Sequence, residues 1–182
     1  FIQTDVFGTF VLLEAAREAS GLPKFIQIST HEVYGSVLKG KSRETDELRP
    51  RNPYAASKAG ADRLAYSYFA TYGVPVIVTR ASNNYGPNQF PEKVIPLFTT
   101  NAIDDKSLPL YGDGQNVRDW LHVDDHCRAL DFLIAQGEPG ETYNIGGGNE
   151  IPTADLTPRI HELDGRPDSL NQRVTDRKGH DR

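Results

Sequence analysis

Apolar residues recur along this chain at two different periods. Val6, Phe10, Leu13 and Ala16 repeat at helical spacing, which predicts a helix over residues 2–19 that closes at Gly21 and Pro23. Residues 24–29 then read as a short strand. Asn52 followed by Pro53 reads as an N-cap and a first helical position, opening a helix that reaches Gly73 with Pro75 beyond it. The β-branched run PVIVT at residues 75–79 predicts a strand buried on both faces. Between these elements, residues 37–51 are charged and aperiodic and read as a loop. Helix, strand, helix and strand of these lengths predict an α/β fold with a doubly wound parallel sheet. Beyond Arg80 the pattern loosens. It gives a loop through ASNNYGPNQFPEK, a helix over 92–104, a short strand and turn at LPLYGDG and a strand over 118–123. An amphipathic helix over 124–136 and a last core strand over 142–145 follow, ending in GGGNE.

Composition narrows the function classes. No run approaches the roughly 18 apolar residues of a membrane span, and nothing resembles a signal peptide. A net charge of −5 argues against nonspecific nucleic-acid binding, which needs a basic face. A small anionic ligand needs only a few local cations and stays open. The single Cys127 cannot close an internal disulfide, which fits a reducing cytoplasm, and its place in a helix reads as structural. The chain has no Met and begins with Phe1, so we expect an internal piece of a longer chain.

Candidate chemistry gathers where the first strand ends. The run Phe25-Ile26-Gln27-Ile28 breaks into Ser29, Thr30, His31 and Glu32 before Gly35 turns the chain. Ligands of open α/β sheets bind beyond the carboxyl ends of the strands. These residues are therefore either a polar turn or the floor of an active site. Tyr54 and Lys58 stand four apart and share a helix face. A free phenol has a pKa of about 10 and is a poor base at neutral pH. A cation one turn away is expected to favour the phenolate, giving a group able to exchange a proton with a hydroxyl whose carbon loses a hydride. The same spacing also occurs on ordinary surface helices.

The segments STHEVYG, NPYAASKAGADRL, VTRASNNYGPNQFPEKVIPL, LPLYGDGQNVRDWLHVDDHCRAL and GETYNIGGGNE resemble the extended short-chain dehydrogenase/reductase family. Within it they are most similar to the nucleotide-sugar 4,6-dehydratases that act on dTDP-glucose. That resemblance implies a Rossmann-like doubly wound sheet lacking its N-terminal part, with a smaller C-terminal substrate-binding lobe. Residues 1–86 would be the later part of an NAD-binding domain carrying the catalytic residues. Residues 87–182 would be the sugar-nucleotide lobe, with 117–146 returning to the Rossmann core. The family's glycine-rich phosphate turn would lie upstream of Phe1, and GGGNE would belong to the sugar lobe.

The resemblance also implies roles. Thr30, His31, Glu32, Tyr54 and Lys58 would be catalytic, and Thr4, Ser29, Tyr54, Lys58 and Asn84 would contact NAD. Thr30, Asn83, Lys93, Val94, Pro109, Leu110, Tyr111, Arg118, Arg177 and His180 would contact a nucleotide-sugar substrate. Lys93 and Arg118 suit a diphosphate, one as a point charge and one as a bidentate fork. Trp120 and Tyr143 are assigned to the core. HVDDH at residues 122–126 is not read as a metal site, because Asp124 and Asp125 also suit a helix N-terminus and the family uses no metal there.

Three departures from the family pattern stand out. His31 occupies a position usually held by Asp, DRKGH replaces DRPGH near Arg177, and Thr153 falls where Asn is frequent. His31 is read as the general acid for a leaving hydroxyl, or else as a residue that only packs beside Glu32. The expected assembly is a homodimer, because the Tyr54–Tyr72 helix carries apolar groups on two sides. The other readings are a 4-epimerase or decarboxylase of the same family, of which a 4-epimerase has no need of a base at C5, and a non-catalytic dinucleotide-binding relative.

Overall fold

The computed structural model describes residues 1–37, 40–165 and 167–176. The chain opens with a π-helical turn, Ile2–Phe7, that runs into α1 (Gly8–Glu18). Next come β1 (Phe25–Thr30), a 3-10 turn (His31–Tyr34), α2 (Pro53–Tyr72), β2 (Val76–Ala81) and β3 (Asn83–Tyr85). Then follow α3 (Val94–Ile103), β4 (Leu108–Tyr111), β5 (Val117–His122), α4 (Val123–Gln136) and β6 (Thr142–Ile145). β7 (Glu150–Pro152), α5 (Thr153–Asp164) and β8 (Asn171–Val174) complete the order. The single helix expected over residues 2–19 is thus two pieces, with the Thr4 and Asp5 amides both bonded to the Phe1 carbonyl. The chain divides into two compact units. One comprises Phe1–Ser82 and Asp124–Gly146, and the other Asn83–Val123 with the described residues from Gly147 onward.

The first unit is built on a parallel sheet of order β1-β2-β6. All six residues of the central β2 are buried, which is why it reads as an unbroken β-branched run rather than an alternating one. The Asn52 side chain caps α2 by accepting from the Ala55 amide at 2.8 Å, Pro53 supplies the first turn, and Gly73 ends the helix. α1 and α2 close over the sheet through Leu13, Ala65, Tyr68, Val74, Val76 and Val78. Full burial of a Leu or Val side chain contributes roughly 1.5–3 kcal/mol, so this cluster fixes the helices against the strands. The strands are in register, so that Thr30 pairs with Ala81 and Ala81 with Ile145. Three strands therefore end along one line, and the polar residues after Ile28 emerge there.

Two features of this unit differ from the sequence reading. β2 does not stop at Thr79: it continues through Arg80, whose side chain is 2 % exposed and paired with the fully buried Asp62 of α2 at 2.8 Å. A buried charge persists only when it is paired, and the partner lies 18 residues away, beyond the reach of local pattern. The described residues between 37 and 51 form no regular element, yet they are anchored. The Arg80 guanidinium donates to the Glu44 carbonyl, the Asn144 amide donates to the Glu44 carboxylate, and Asn144 Nδ2 donates to the Ser42 carbonyl.

The second unit carries the mixed sheet β3-β5-β7 and the parallel pair β4-β8. Phe98, Ala102, Leu108 and Ile160 form its core, with Val94, Leu97, Leu156 and Leu170 packed around them. Trp120 is buried here as expected, whereas Tyr143 of the first unit is only half-buried. The GGGNE turn is held by one carboxylate: Asp119 accepts from the Gly147 and Asn149 amides at 2.8 Å each. A Cβ at Gly147 would lie 2.1 Å from the Trp120 carbonyl oxygen, so only glycine allows this approach. Those amides are thus already engaged by Asp119.

Candidate active site

The register of the parallel sheet delivers Thr30 to the carboxyl edge, where its hydroxyl caps the 3-10 turn by accepting from the Glu32 amide at 3.3 Å. That turn aims two protic side chains differently. His31 Nδ1 lies 3.0 Å from the Ala81 carbonyl oxygen. A carbonyl only accepts, so the proton is assigned to Nδ1 and Nε2 is left to exchange protons. Glu32 Oε2 accepts from Asn52 Nδ2 at 3.2 Å. Gly35 then reverses the chain at φ 77°, where a Cβ would lie 2.3 Å from the Arg49 carbonyl oxygen.

α2 brings Tyr54 to the same place. The phenol is half-buried, and a side-chain hydrogen bond joins it to Thr30. Burial pushes its pKa above the ordinary value, and the Glu32 and Asp5 carboxylates push it further; the Thr30 hydrogen bond pulls the other way and is outweighed. This overturns the expectation that Lys58 sets a lowered phenol pKa. Lys58 Nζ donates to the Ile28 carbonyl at 2.7 Å, so its charge is committed to the exposed edge of β1. Asp5 is held beside the helix by the Ser57 hydroxyl at 2.7 Å, and that hydroxyl also reaches the Tyr54 carbonyl.

Thr30, His31, Glu32, Tyr54 and Lys58 thus share one edge of the first unit. Ser29 joins them, with its buried hydroxyl unpartnered among the described residues. Thr4 lies exposed on the π-helical turn.

The remaining candidates belong to the second unit. Asn83 and Asn84 lie on β3, and Lys93 and Val94 open α3. Asn83 Oδ1 is buried without a partner among the described residues. β4 alternates, so Leu110 turns into the core while Pro109 and Tyr111 are half-buried on the other face. Arg118 sits on β5 with Nη1 on the Val117 carbonyl. Arg177 and His180 lie outside the described residues. Cys127 is in α4, but it is exposed rather than packed.

Sequence reasoning missed two contributors, Asn52 as the partner of Glu32 and Asp5 as a charge acting on Tyr54. Asn52 was legible only as a cap, because Glu32 is 20 residues distant. Asp5 carried no signal, since nothing local ties the first helix to Tyr54.

A family model described as GDP-mannose 4,6 dehydratase matches residues 1–182. The chain belongs to this family. It is 54% identical over 182 residues to a dTDP-glucose 4,6-dehydratase of Streptomyces antibioticus, an alignment covering all of this chain and 54% of that protein. A crystal structure of a dTDP-glucose 4,6-dehydratase from Streptomyces venezuelae, solved with NAD bound, superposes with a TM-score of 0.97 at 50% identity, covering 100% of this chain and 56% of that one. A UDP-glucuronic acid 4-epimerase from Bacillus cereus, in complex with UDP-glucuronic acid and NAD, reaches a TM-score of 0.92 at 28% identity, covering 97% of this chain and 56% of that one. The chain spans a little more than half the length of the curated relatives it matches. No helix among the described residues is long and apolar enough to cross a membrane.

Proposed function

We propose that the complete protein is a hydro-lyase that converts dTDP-glucose to its 4-keto-6-deoxy product with NAD as cofactor. The observation that carries this reading is the gathering of Thr30, Glu32 and Tyr54 at one sheet edge, with Glu32 held by Asn52. A phenol beside a hydroxyl serves any oxidation of a sugar alcohol. A carboxylate at the same edge adds the base that elimination needs. The names of the dTDP-glucose relatives supply the sugar nucleotide.

The residues present fit the nicotinamide end of a dinucleotide. Buried hydroxyls normally have a partner, and Ser29 Oγ has none among the described residues. Lys58, Ser29 and Thr4 would hold the cofactor, and Asn84 is assigned as a further cofactor contact. Bound NAD supplies a hydride acceptor for C4 of the sugar and a hydride donor for C6.

The chain's own residues handle protons. Ionised Tyr54 takes the C4 hydroxyl proton while Thr30 bonds the C4 oxygen. The resulting ketone acidifies the C5 hydrogen, and Glu32 removes it as a proton. His31, protonated at Nε2, gives a proton to the C6 hydroxyl, which leaves as water when the C5–C6 double bond forms. Glu32 returns a proton to C5 when C6 is reduced. Lys93 and Arg118 are assigned to the diphosphate. Asn83, Val94, Pro109, Leu110, Tyr111, Arg177 and His180 are assigned to the rest of the sugar nucleotide.

Incubating the complete protein with dTDP-, UDP- and CDP-glucose tests this reading. A 4-keto product absorbing in alkali from dTDP-glucose supports it, and no keto product from any of the three sinks it. The likeness to the Bacillus cereus enzyme favours a 4-epimerase as the second reading, under which Glu32 has no step to perform.

The complete protein is also assigned as a cytoplasmic homodimer. Phe7, Phe10, Val11 and Leu12 are exposed on the π-helical turn and α1, and Tyr66 and Tyr72 on α2. Exposed apolar side chains gathered on two packed helices suit an interface, and the same helix pair of a second copy is its proposed partner.

A further inference from the structure

Asn52 uses both ends of its amide. Its oxygen accepts from the Ala55 amide at 2.8 Å and caps α2. Its nitrogen donates to Glu32 Oε2 at 3.2 Å. A cap needs only the oxygen, and Ser or Asp supplies one equally well. The amide nitrogen is what distinguishes Asn, and here it is spent on a carboxylate of the 3-10 turn. Glu32 is tied at its other end too, since its backbone amide donates to Thr30 Oγ1. Two residues after Asn52, the same helix carries Tyr54. One side chain therefore links the start of the Tyr54 helix to the carboxylate beside the phenol.

We propose that Asn52 is a positioning residue that holds the Glu32 carboxylate in register with Tyr54, so that C4 oxidation and C5 deprotonation act on one bound sugar. This rests on the reading of Glu32 as the C5 base. Other charged groups nearby do not duplicate the contact. Lys58 Nζ is on the Ile28 carbonyl, His31 Nδ1 is on the Ala81 carbonyl, and Asp5 is on the Ser57 hydroxyl. Among the described residues, loss of Asn52 leaves Glu32 with its main-chain bond to Thr30 and no side-chain tether. Loss of a hydrogen bond to a charged group is worth about 10–100-fold in rate if it serves one step.

Two variants separate positioning from capping. Asn52→Ser and Asn52→Thr keep an oxygen for the Ala55 amide, remove the amide donor to Glu32 and add no charge beside Tyr54. In the complete protein, both should retain the melting temperature and the hydrogen-exchange protection of the Ala55 amide. Single-turnover oxidation at C4, followed by the absorbance of reduced nicotinamide, should be unchanged. Solvent deuterium entry at C5 and release of the 6-deoxy product should fall by about 10–100-fold. Unchanged elimination, or C4 oxidation falling in parallel with elimination, overturns the proposal.

A second measurement needs no turnover. Replacing Glu32 with Ala should accelerate exchange of the Asn52 side-chain amide while the Ala55 amide stays protected. Equal side-chain exchange in both proteins also overturns the proposal. If Glu32→Gln eliminates normally, the base assignment fails, while the exchange result still reports on the Asn52 contact by itself.

Discussion

Lys58 Nζ donates to the Ile28 carbonyl oxygen at 2.7 Å, so the cation one turn from Tyr54 is tethered to β1 and not to the phenol. The charges that reach Tyr54 are those of Glu32 and Asp5, both negative, acting on a group already disfavoured as an anion by burial. In this arrangement the phenol holds its proton more tightly than a free tyrosine does. The proposed C4 oxidation needs it ionised.

The sign of that perturbation makes Asp5 the first target. Asp5→Asn keeps an oxygen for the Ser57 hydroxyl and removes one of the charges that raise the phenol. The Tyr54 pKa should fall, extending the ionised fraction to lower pH. The acid limb of the pH profile for C4 oxidation in the complete protein should therefore move to lower pH. An unmoved limb, or one displaced upward, contradicts the assignment.

His31 is tested by separating steps. As general acid it acts only on the departing C6 hydroxyl. His31→Ala should slow elimination by about 10²–10⁴-fold, the usual contribution of a general acid. Oxidation at C4 should persist, visible as reduced nicotinamide accumulating after substrate is mixed in. His31→Asp, which restores a protic group, should recover part of the loss. Undiminished turnover by His31→Ala leaves only the contact of Nδ1 with Ala81 as its role.

The Arg80–Asp62 pair predicts a stability result independent of activity. Asp62 is fully buried and Arg80 nearly so. Burial alone would raise the Asp62 carboxyl, but its hydrogen bonds with Arg80 and Arg63 prevail and hold it below the ordinary carboxylate value. Its contribution is thus present above that ordinary value and is lost as pH falls through the folded one. Asp62→Ala strands the guanidinium and should cost about 3–5 kcal/mol in denaturant unfolding at neutral pH. The apolar double replacement Asp62→Leu with Arg80→Met should be less damaging than Asp62→Ala. The opposite order would show that the pair is not a buried ion pair in solution.

These results mark how far local pattern reaches. β2 and α2 were legible because their signals are short-range: a β-branched run for one, Asn52, Pro53 and Gly73 for the other. The carboxyl-edge placement of Ser29, Thr30, His31 and Glu32 followed from the break in β1. What stayed hidden depends on partners distant in sequence. Arg80 needs Asp62 before its burial makes sense, and Asn52 shows its second function only once Glu32 folds back on it. Local pattern ties the phenol of Tyr54 to its helix neighbour Lys58, whereas the decisive charges, Glu32 and Asp5, come from two other elements. β3, β7 and β8, at three or four residues each, are too short for periodicity to register.

The exposed apolar side chains of α1 and α2 predict self-association. Light scattering on the complete protein should give the mass of a dimer, and replacing Phe10 and Leu12 with charged residues should give a monomer that retains its fold. A monomeric wild-type protein at micromolar concentration contradicts the proposed interface.

The central claim is that one carboxylate, Glu32, turns an oxidation at C4 into an elimination across C5 and C6. Proton NMR of the product formed from dTDP-glucose in deuterated water tests this most directly. The account predicts a 4-keto-6-deoxy sugar carrying solvent deuterium at C5 and the original C4 hydrogen at C6, with none formed by Glu32→Gln. A sugar inverted at C4 that keeps its C5 hydrogen and its C6 hydroxyl would contradict the account and establish an epimerase instead.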